Sequence, residues 1–480
     1  LKDKLLDTIE YLKSKGVDYA DIRFVRTESE KIQVKNDSVE SIARVVDQGI
    51  GIRVVADGAW GFAASSSVRA SSFRKTANKA IQVAKASALT KKSNVRLADV
   101  EVYRDSYSTP VVKDPFKIRL DTKIKMLLKI NEVLNKNPKV KTAEASMAFG
   151  KVNKIFVSTE GSEIEQDLVE SGAGYVATAS DGGETQRRSY PTSFGGDFGT
   201  GGYEIVESMN LLANAEMVRE EAVALLTAPP MPAGQADIII GGSQLALQIH
   251  ESCGHPTELD RVLGTEISLA GGSFLTLDQL GKLKYGSGIV NIYADASIPG
   301  ALGTFGYDDE GVKAQEFAIV KDGLFVGYLT SRETAPEINQ RSNGTMRASG
   351  WNAIPLIRMT NINLRPGDTD LDSLMADTNG GYLLETNKSW SIDDKRLNFQ
   401  FGQEIAWKIE NGRKSQMYRN PLYTGMTPKF WNSCDAISDQ TSWHVWGIPN
   451  CGKGEPMQIA HVAHGAAPAR FRSVEVGVSK

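Results

Sequence analysis

Six consecutive residues, His250-Glu251-Ser252-Cys253-Gly254-His255, concentrate side chains that could do chemistry together. The chain has only 5 histidines, and two of them bracket this segment with a glutamate beside the first. A neutral imidazole is the commonest metal ligand, and an adjacent carboxylate can take a proton from a metal-bound water. That combination is the chemistry of a zinc hydrolase. In the familiar H-E-x-x-H arrangement the histidines stand at i and i+4, about 40° apart around a helix of 3.6 residues per turn. Here they stand at i and i+5, which a regular helix would place about 140° apart. One ion can be held by both only if the helix changes course between them. Gly254 offers a left-handed helix end, and a single π-turn would serve as well. The sequence therefore predicts a helix that deforms in its last turn and returns His255 to the side of His250. The plain alternative is a helix end carrying two unrelated polar residues.

Catalytic zinc sites usually supply three protein ligands and leave a position for water. The candidates for the third are Cys253, Glu258, Asp260, Cys434, Cys451, His444, His461 and His464. Cys253 lies three residues after His250 on nearly the same helical face, which makes it a local competitor. It reads equally well as a small buried apolar residue. Glu258 and Asp260 could ligate or orient the second histidine. Cys451 is preferred, because the glycines of Asn450-Cys451-Gly452-Lys453-Gly454 let the backbone approach an ion and Lys453 would favour the thiolate.

Composition narrows the functional classes. A chain of 480 residues exceeds one core, so two or three domains are expected. The net charge of −3 argues against a nucleic-acid surface, and no apolar run is long enough to cross a bilayer. Three cysteines do not make a disulfide framework, and free thiols suit the cytoplasm. A leader removed ahead of Leu1 is also compatible with the sequence.

The elements that must position the motif follow from periodicity. Leu5, Leu6, Ile9 and Leu12 predict an amphipathic helix that stops at Gly16. Period-two patterning over Asp21–Gln33, Val39–Val46 and Gly49–Ala56 predicts three short strands in antiparallel hairpins, ended by Asp57-Gly58. Ser71–Ala88 returns to helix, and 89–115 reads as a linker. Phe116–Asn137 is a second helix, followed by strands to Tyr190 that turn at Glu160-Gly161 and Asp181-Gly182-Gly183. A helix over Met209–Ala228 closes that unit. Three prolines in Pro229-Pro230-Met231-Pro232 mark a boundary. Beyond it come a buried strand, Ala236–Ile240, and a Gly241-Gly242-Ser243 turn whose serine could cap the motif helix. From Gly264 to Val478 the glycine-rich pattern predicts a large antiparallel sheet, rolled or closed, with one short helix at Leu371–Ala376. The layout is thus α+β: an N-terminal helix-plus-sheet unit (1–90), a central one (115–228) and a C-terminal β-rich, barrel-like domain (235–480) carrying the motif helix.

The blocks also resemble a known family. HExxxH followed by Glu258 and Asp260, Tyr307-Asp308-Asp309-Glu310-Gly311, Pro355-Leu356-Ile357-Arg358-Met359-Thr360-Asn361, Cys451-Gly452-Lys453-Gly454 and Pro468 with Arg470-Phe471 to Val476-Gly477 together resemble the TldD/PmbA metallopeptidases, on the TldD side. The resemblance spans nearly the whole chain. It implies a zinc peptidase with His250, His255 and Cys451 as ligands and Glu251 as general base, acting on unfolded or flexible peptides. It also implies a homodimer or a heterodimer with a TldE-like paralogue that lacks the metal motif. Pro256-Thr257 and Glu455-Pro456 depart from the family pattern, which bears on the shape of the substrate channel. His464, Arg347 and Arg358 are candidates for a second oxyanion donor. A glycine-rich edge at Gly264–Leu275 or Tyr285–Ile289 could accept an extended peptide as an added strand. The competing readings are a non-catalytic peptide-binding or scaffold subunit, against which the intact motif counts, and a metal hydrolase of small amides or esters.

Overall fold

The computed structural model describes residues 1–479. Leu5, Ile9 and Leu12 form the buried stripe of α1 (Lys2–Ser14), as their spacing predicts. β1 (Tyr19–Lys35) and β2 (Ser38–Ala56) then form one long hairpin, paired from Tyr19↔Val55 to Lys35↔Ser38. The two strands expected at Val39–Val46 and Gly49–Ala56 are therefore one. The unbroken partner β1 carries the ladder straight through Asp47-Gln48. The expected stop at Asp57-Gly58 is instead a tight hairpin turn, both residues at positive φ, leading into β3 (Ala59–Ser65). α2 (Ala70–Ala88) packs Phe73, Ala77, Ala80 and Ala84 onto this hairpin.

The stretch read as a linker contains β4 (Arg104–Ser108), which pairs parallel to β6. α3 (Leu120–Leu134) is followed by β5 (Val140–Ser158), β6 (Glu163–Asp181) and β7 (Glu184–Tyr190), turning where the glycines predict. β8 (Asp197–Thr200) also pairs with β6. The expected Met209–Ala228 helix is α5 (Leu211–Ala224), and a short α4 (Glu204–Ser208) precedes it, separated at Asn210 with φ 51°. β1 also pairs with β5, Asp21↔Ser158 through Lys35↔Glu144, so one eight-stranded sheet runs through both helix-plus-sheet segments.

In the C-terminal part β9 (Gly234–Ile240) joins the strands Ala469–Val478, Pro421–Met426, Asn398–Glu410 and Tyr382–Ile392, and the last pairs back with β9 to close a five-stranded barrel. The closure agrees with the expected rolled sheet, with two differences. β9 precedes the predicted span, and its pairing with Tyr382–Ile392 is parallel. Phe399, Phe401, Tyr423, Phe430 and Phe471 fill the core, with Phe430 and Phe471 stacked at 4.1 Å. The Leu371–Ala376 helix forms, capped by Asp370; a helix at Thr427–Asn432 carries no comparable sequence signal.

Neither of the two stretches expected to offer an edge forms a strand. Between Gly264 and Leu275 the chain is turns and loop, with Thr265, Ile267 and Ala270 N–H groups bonded to carbonyls of residues 260–266. Tyr285, Gly286, Ser287 and Val290 likewise spend their N–H groups on Gly323, Trp431 and Ser287 carbonyls.

Candidate metal centre

α6 (Gly242–Ile249) starts directly from β9, with Gly241 as N-cap. Ser243 makes no cap, because the helix has already begun at Gly242. Gln244 and Gln248 face the barrel and bracket the Tyr423 hydroxyl at 3.2 and 2.9 Å. The helix then widens into a π-turn over His250–Gly254 and tightens into a 3₁₀ turn over His255–Thr257. The His255 N–H donates to the His250 carbonyl, the i→i+5 bond that sets one imidazole beside the other, with ring centroids 4.9 Å apart. Gly254 has φ −59°, so it does not use the left-handed region. Its bareness serves close packing instead: a Cβ there would stand 2.0 Å from the Met359 sulfur.

Both imidazoles are locked by what lies behind them. His464 Nδ1 donates to the Ile362 carbonyl at 3.0 Å, so its Nε2 is an acceptor and takes the Nδ1–H of His250 at 2.8 Å. His255 Nδ1 faces Glu258 Oε2 at 3.1 Å. With its Nδ1–H committed to His464, His250 keeps an unprotonated Nε2, and His255 turns its own Nε2 towards the same point. Burial depresses His250 to about 4, against the pull of Glu251, and pushes His464 well below the usual imidazole range. Glu258 is held as a carboxylate, with Lys453 and His255 outweighing its burial.

Cys451, on the strand His444–Lys453, enters from across the core. Its Sγ lies 3.7 Å from His255 Nε2. His250, His255 and Cys451 are all buried, and each offers a ligand atom within 4.8 Å of the others. Burial alone would raise the thiol, but the His255 ring and the Arg358 guanidinium bring it below the usual thiol range. Lys453 takes no part in that. Its ammonium is pinned by Asp260 at 2.7 and 2.9 Å, by the Ile357 carbonyl and, at 3.4 Å, by Glu258. It neutralises the carboxylates behind His255 rather than the sulfur.

The other candidates lie elsewhere. Cys253 sits in the C-terminal core, where burial raises its thiol to about 12, and Cys434 is another core thiol. His444 pairs with Asp197 at 2.7 Å and His461 with Glu170 at 2.6 Å. Of the three candidate oxyanion donors, His464 accepts from His250, Arg347 donates Nη1 to the Met359 and His461 carbonyls, and Arg358 donates to the Cys451 and Gln458 carbonyls while its Nε is buried without a partner. Glu251 meets a residue that sequence reading missed. Arg396, in the turn between the strands Tyr382–Ile392 and Asn398–Glu410, donates Nη1 to Glu251 Oε2. It adopts φ 63°, its N–H donates to the Asp393 carbonyl, its own carbonyl accepts from Thr427, and its Nε is buried without a partner. In the sequence Asp393-Asp394-Lys395-Arg396 reads as an ordinary solvated turn. A cavity of about 260 Å³ lies beside the centre, lined by Glu170, Phe305, Arg347, His461 and Ala460, the last paired with Cys451.

Three family models match: PmbA/TldA metallopeptidase domain 1 over residues 20–84, the central domain over 113–228 and the C-terminal domain over 233–477. The chain is 31% identical over 450 residues to the metalloprotease MJ0996 of Methanocaldococcus jannaschii, covering 93% of this chain and 95% of the relative. A zinc metalloprotease TldD homolog of Saccharolobus solfataricus is 23% identical, covering 96% of this chain and 97% of the relative. In fold it is similar to a putative modulator of a DNA gyrase from Thermotoga maritima (TM-score 0.78, 17% identity, 99% of both chains). It is also similar in fold to TldE from Thermococcus kodakarensis (TM-score 0.74, 16% identity, 99% of this chain and 100% of that one). By these matches the chain belongs to the PmbA/TldD family of metallopeptidases.

Proposed function

We propose that this protein is a zinc-dependent peptidase acting on unfolded or flexible peptides, with His250, His255 and Cys451 holding the ion and Glu251 as general base. The observation that carries the reading is the convergence of three buried donors, two of them imidazoles oriented by hydrogen bonds behind each ring. Two nitrogens and a thiol of lowered pKa are a donor set that would suit zinc and would leave room for a water as a further ligand. When bound, zinc supplies Lewis acidity and lowers the pKa of a water towards about 7. Glu251 takes the proton of the attacking water and returns it to the leaving amine. Arg396, already on Glu251 and with its Nε unpartnered, supplies N–H donors to the carbonyl oxygen as negative charge develops there. Histidines and base are each at most 6% exposed, which favours a substrate that can thread as a flexible chain over a folded one.

The partners of this reading are a flexible peptide and a second chain of the same fold, either another copy or a TldE-like paralogue. The Arg396–Glu251 contact favours a second reading, in which the base stays tied up and the chain is the non-catalytic, peptide-binding member of a complex. One experiment separates them. Purified protein is assayed for zinc and for cleavage of an unstructured peptide, beside Glu251→Gln. The peptidase reading expects about one zinc per chain in both proteins and cleavage lowered by about 10²–10⁴-fold in the variant. A zinc-loaded wild type that cleaves nothing, alone or mixed with a paralogue, establishes the second reading.

A further inference from the structure

The cavity of about 260 Å³ carries chemistry that the metal centre does not use. It lies between β1, β5 and β6 of the N-terminal sheet and the hairpin that carries Cys451. Cys451 stands opposite Ala460 in that hairpin, so the two share a face. Strand alternation turns Ile459 and His461 to the other face, where both line the cavity. The cavity therefore backs the metal centre across one hairpin.

Its walls are apolar at Val25, Val152, Leu168, Phe305 and Ile459, but its charges do not balance. Glu170 is met by His461 at 2.6 Å, and Asp309 by Lys154 at 2.7 Å and Arg23 at 3.7 Å. Asp308 turns both carboxylate oxygens to the backbone N–H groups of Glu310, Val312 and Met346. Two guanidinium groups remain, Arg347 and Arg358, whose partners among the described residues are carbonyls rather than carboxylates. Arg347 gives only Nη1 to its two carbonyls. Its Nε and Nη2 have no partner among the described residues, and the guanidinium lies over the Phe305 ring, 5.4 Å from the centroid. The Cys451 thiolate is a further anion acting on both arginines, and a bound metal would neutralise it. An arginine with an open edge, spread on an aromatic face between apolar walls, suits a planar anion with an apolar body. Inorganic phosphate would leave those walls unused.

We propose that this cavity binds the carboxylate of a peptide, with Arg347 Nε and Nη2 donating to it and Arg358 adding positive charge behind. The proposal rests on the peptide-binding reading above and adds a site apart from the metal. The test is isothermal titration of the full-length protein, as purified and carrying Glu251→Gln so that nothing is cleaved. Acetohydroxamate in excess covers any zinc. The probes are N-acetyl-leucine, its amide, N-acetyl-isoglutamine, whose one carboxylate is a side-chain carboxylate, and inorganic phosphate. An acid is expected to bind at least about tenfold more tightly than the amide and than phosphate. Preference for N-acetyl-leucine assigns the site to peptide C-termini, and preference for N-acetyl-isoglutamine assigns it to acidic side chains. Arg347→Met should abolish the preference and Arg347→Lys should keep part of it. Ser349→Glu, at an exposed residue of the same cavity, introduces a competing carboxylate and should abolish binding with the melting temperature unchanged. Acid and amide bound alike, no binding by either acid, phosphate bound as tightly, or a preference that survives both Arg347→Met and Ser349→Glu overturns the proposal. Because the titration reads no cleavage, its failure leaves the peptidase standing, and an inert peptidase leaves the titration's outcome intact.

Discussion

Three thiols in one chain differ in what surrounds them, and that difference selects one for the metal. Cys253 and Cys434 are raised by burial alone or nearly so, which keeps them protonated, whereas Cys451 faces the His255 ring and the Arg358 guanidinium. Cys451→Ser is expected to weaken zinc binding by about two orders of magnitude or more, and Cys253→Ser to leave it within a few-fold, as measured by competition with a chromogenic chelator. His464 contributes by accepting from His250 Nδ1. His464→Ala should therefore cost about 10–100-fold in zinc affinity on the same assay. Cys253 is nearer to the histidines in sequence and Cys451 is nearer in space, a choice decided by the strand that carries Cys451.

At the scale of elements, the irregular turn of the motif helix depends on a missing side chain. Gly254 and Met359 fit together only because no Cβ lies between them. Gly254→Ala should cost about 1–3 kcal/mol in thermal or denaturant unfolding and lower zinc occupancy. Adding Met359→Ala should recover part of both, since it removes the group that the new methyl strikes. The turn carrying Arg396 is a second such device. Asp393 accepts the Arg396, Leu397 and Asn398 N–H groups and so holds Arg396 at a positive φ that points it at Glu251. Arg396→Ala is expected to lower kcat by about 10²–10³-fold with zinc content unchanged, read by steady-state peptide cleavage with parallel metal analysis.

For the whole molecule, the N-terminal sheet is tied to the C-terminal region by ion pairs, most of them buried. Arg53 reaches Asp21 at 2.6 Å and Glu310 at 3.4 Å, Lys154 reaches Asp309 at 2.7 Å, and Arg332 reaches Glu160 at 2.7 Å. These groups come from β1, β2, β5, the β5–β6 turn and the loops after Tyr307. Arg53→Met would leave Asp21 and Glu310 buried beside an apolar chain, at an expected cost of about 3–5 kcal/mol in chemical denaturation. The Tyr307-Asp308-Asp309-Glu310-Gly311 block acquires a physical meaning here. Asp308 accepts the backbone N–H groups of Glu310, Val312 and Met346 while the neighbouring carboxylates meet cations of the other sheet.

Local chemistry was legible in the chain itself. The i,i+5 histidines required a deformed helix, the apolar periods located the helices, and the glycines at Glu160-Gly161 and Asp181-Gly182-Gly183 located the turns, because each follows from the residue and its near neighbours. What the tertiary structure decided were the contacts with no local signal. Two expected strands fused because β1 continues opposite them, and a supposed linker contributed a strand because β6 had a free side. The expected peptide edges at 264–275 and 285–289 form turns and loop rather than strands. Lys453 went to carboxylates rather than sulfur, and Arg396 came from a turn some 150 residues away to meet Glu251. Sequence spacing sets what a short segment can become. Partners brought together by folding over long separations are set by packing and charge, which only the complete arrangement of the chain determines.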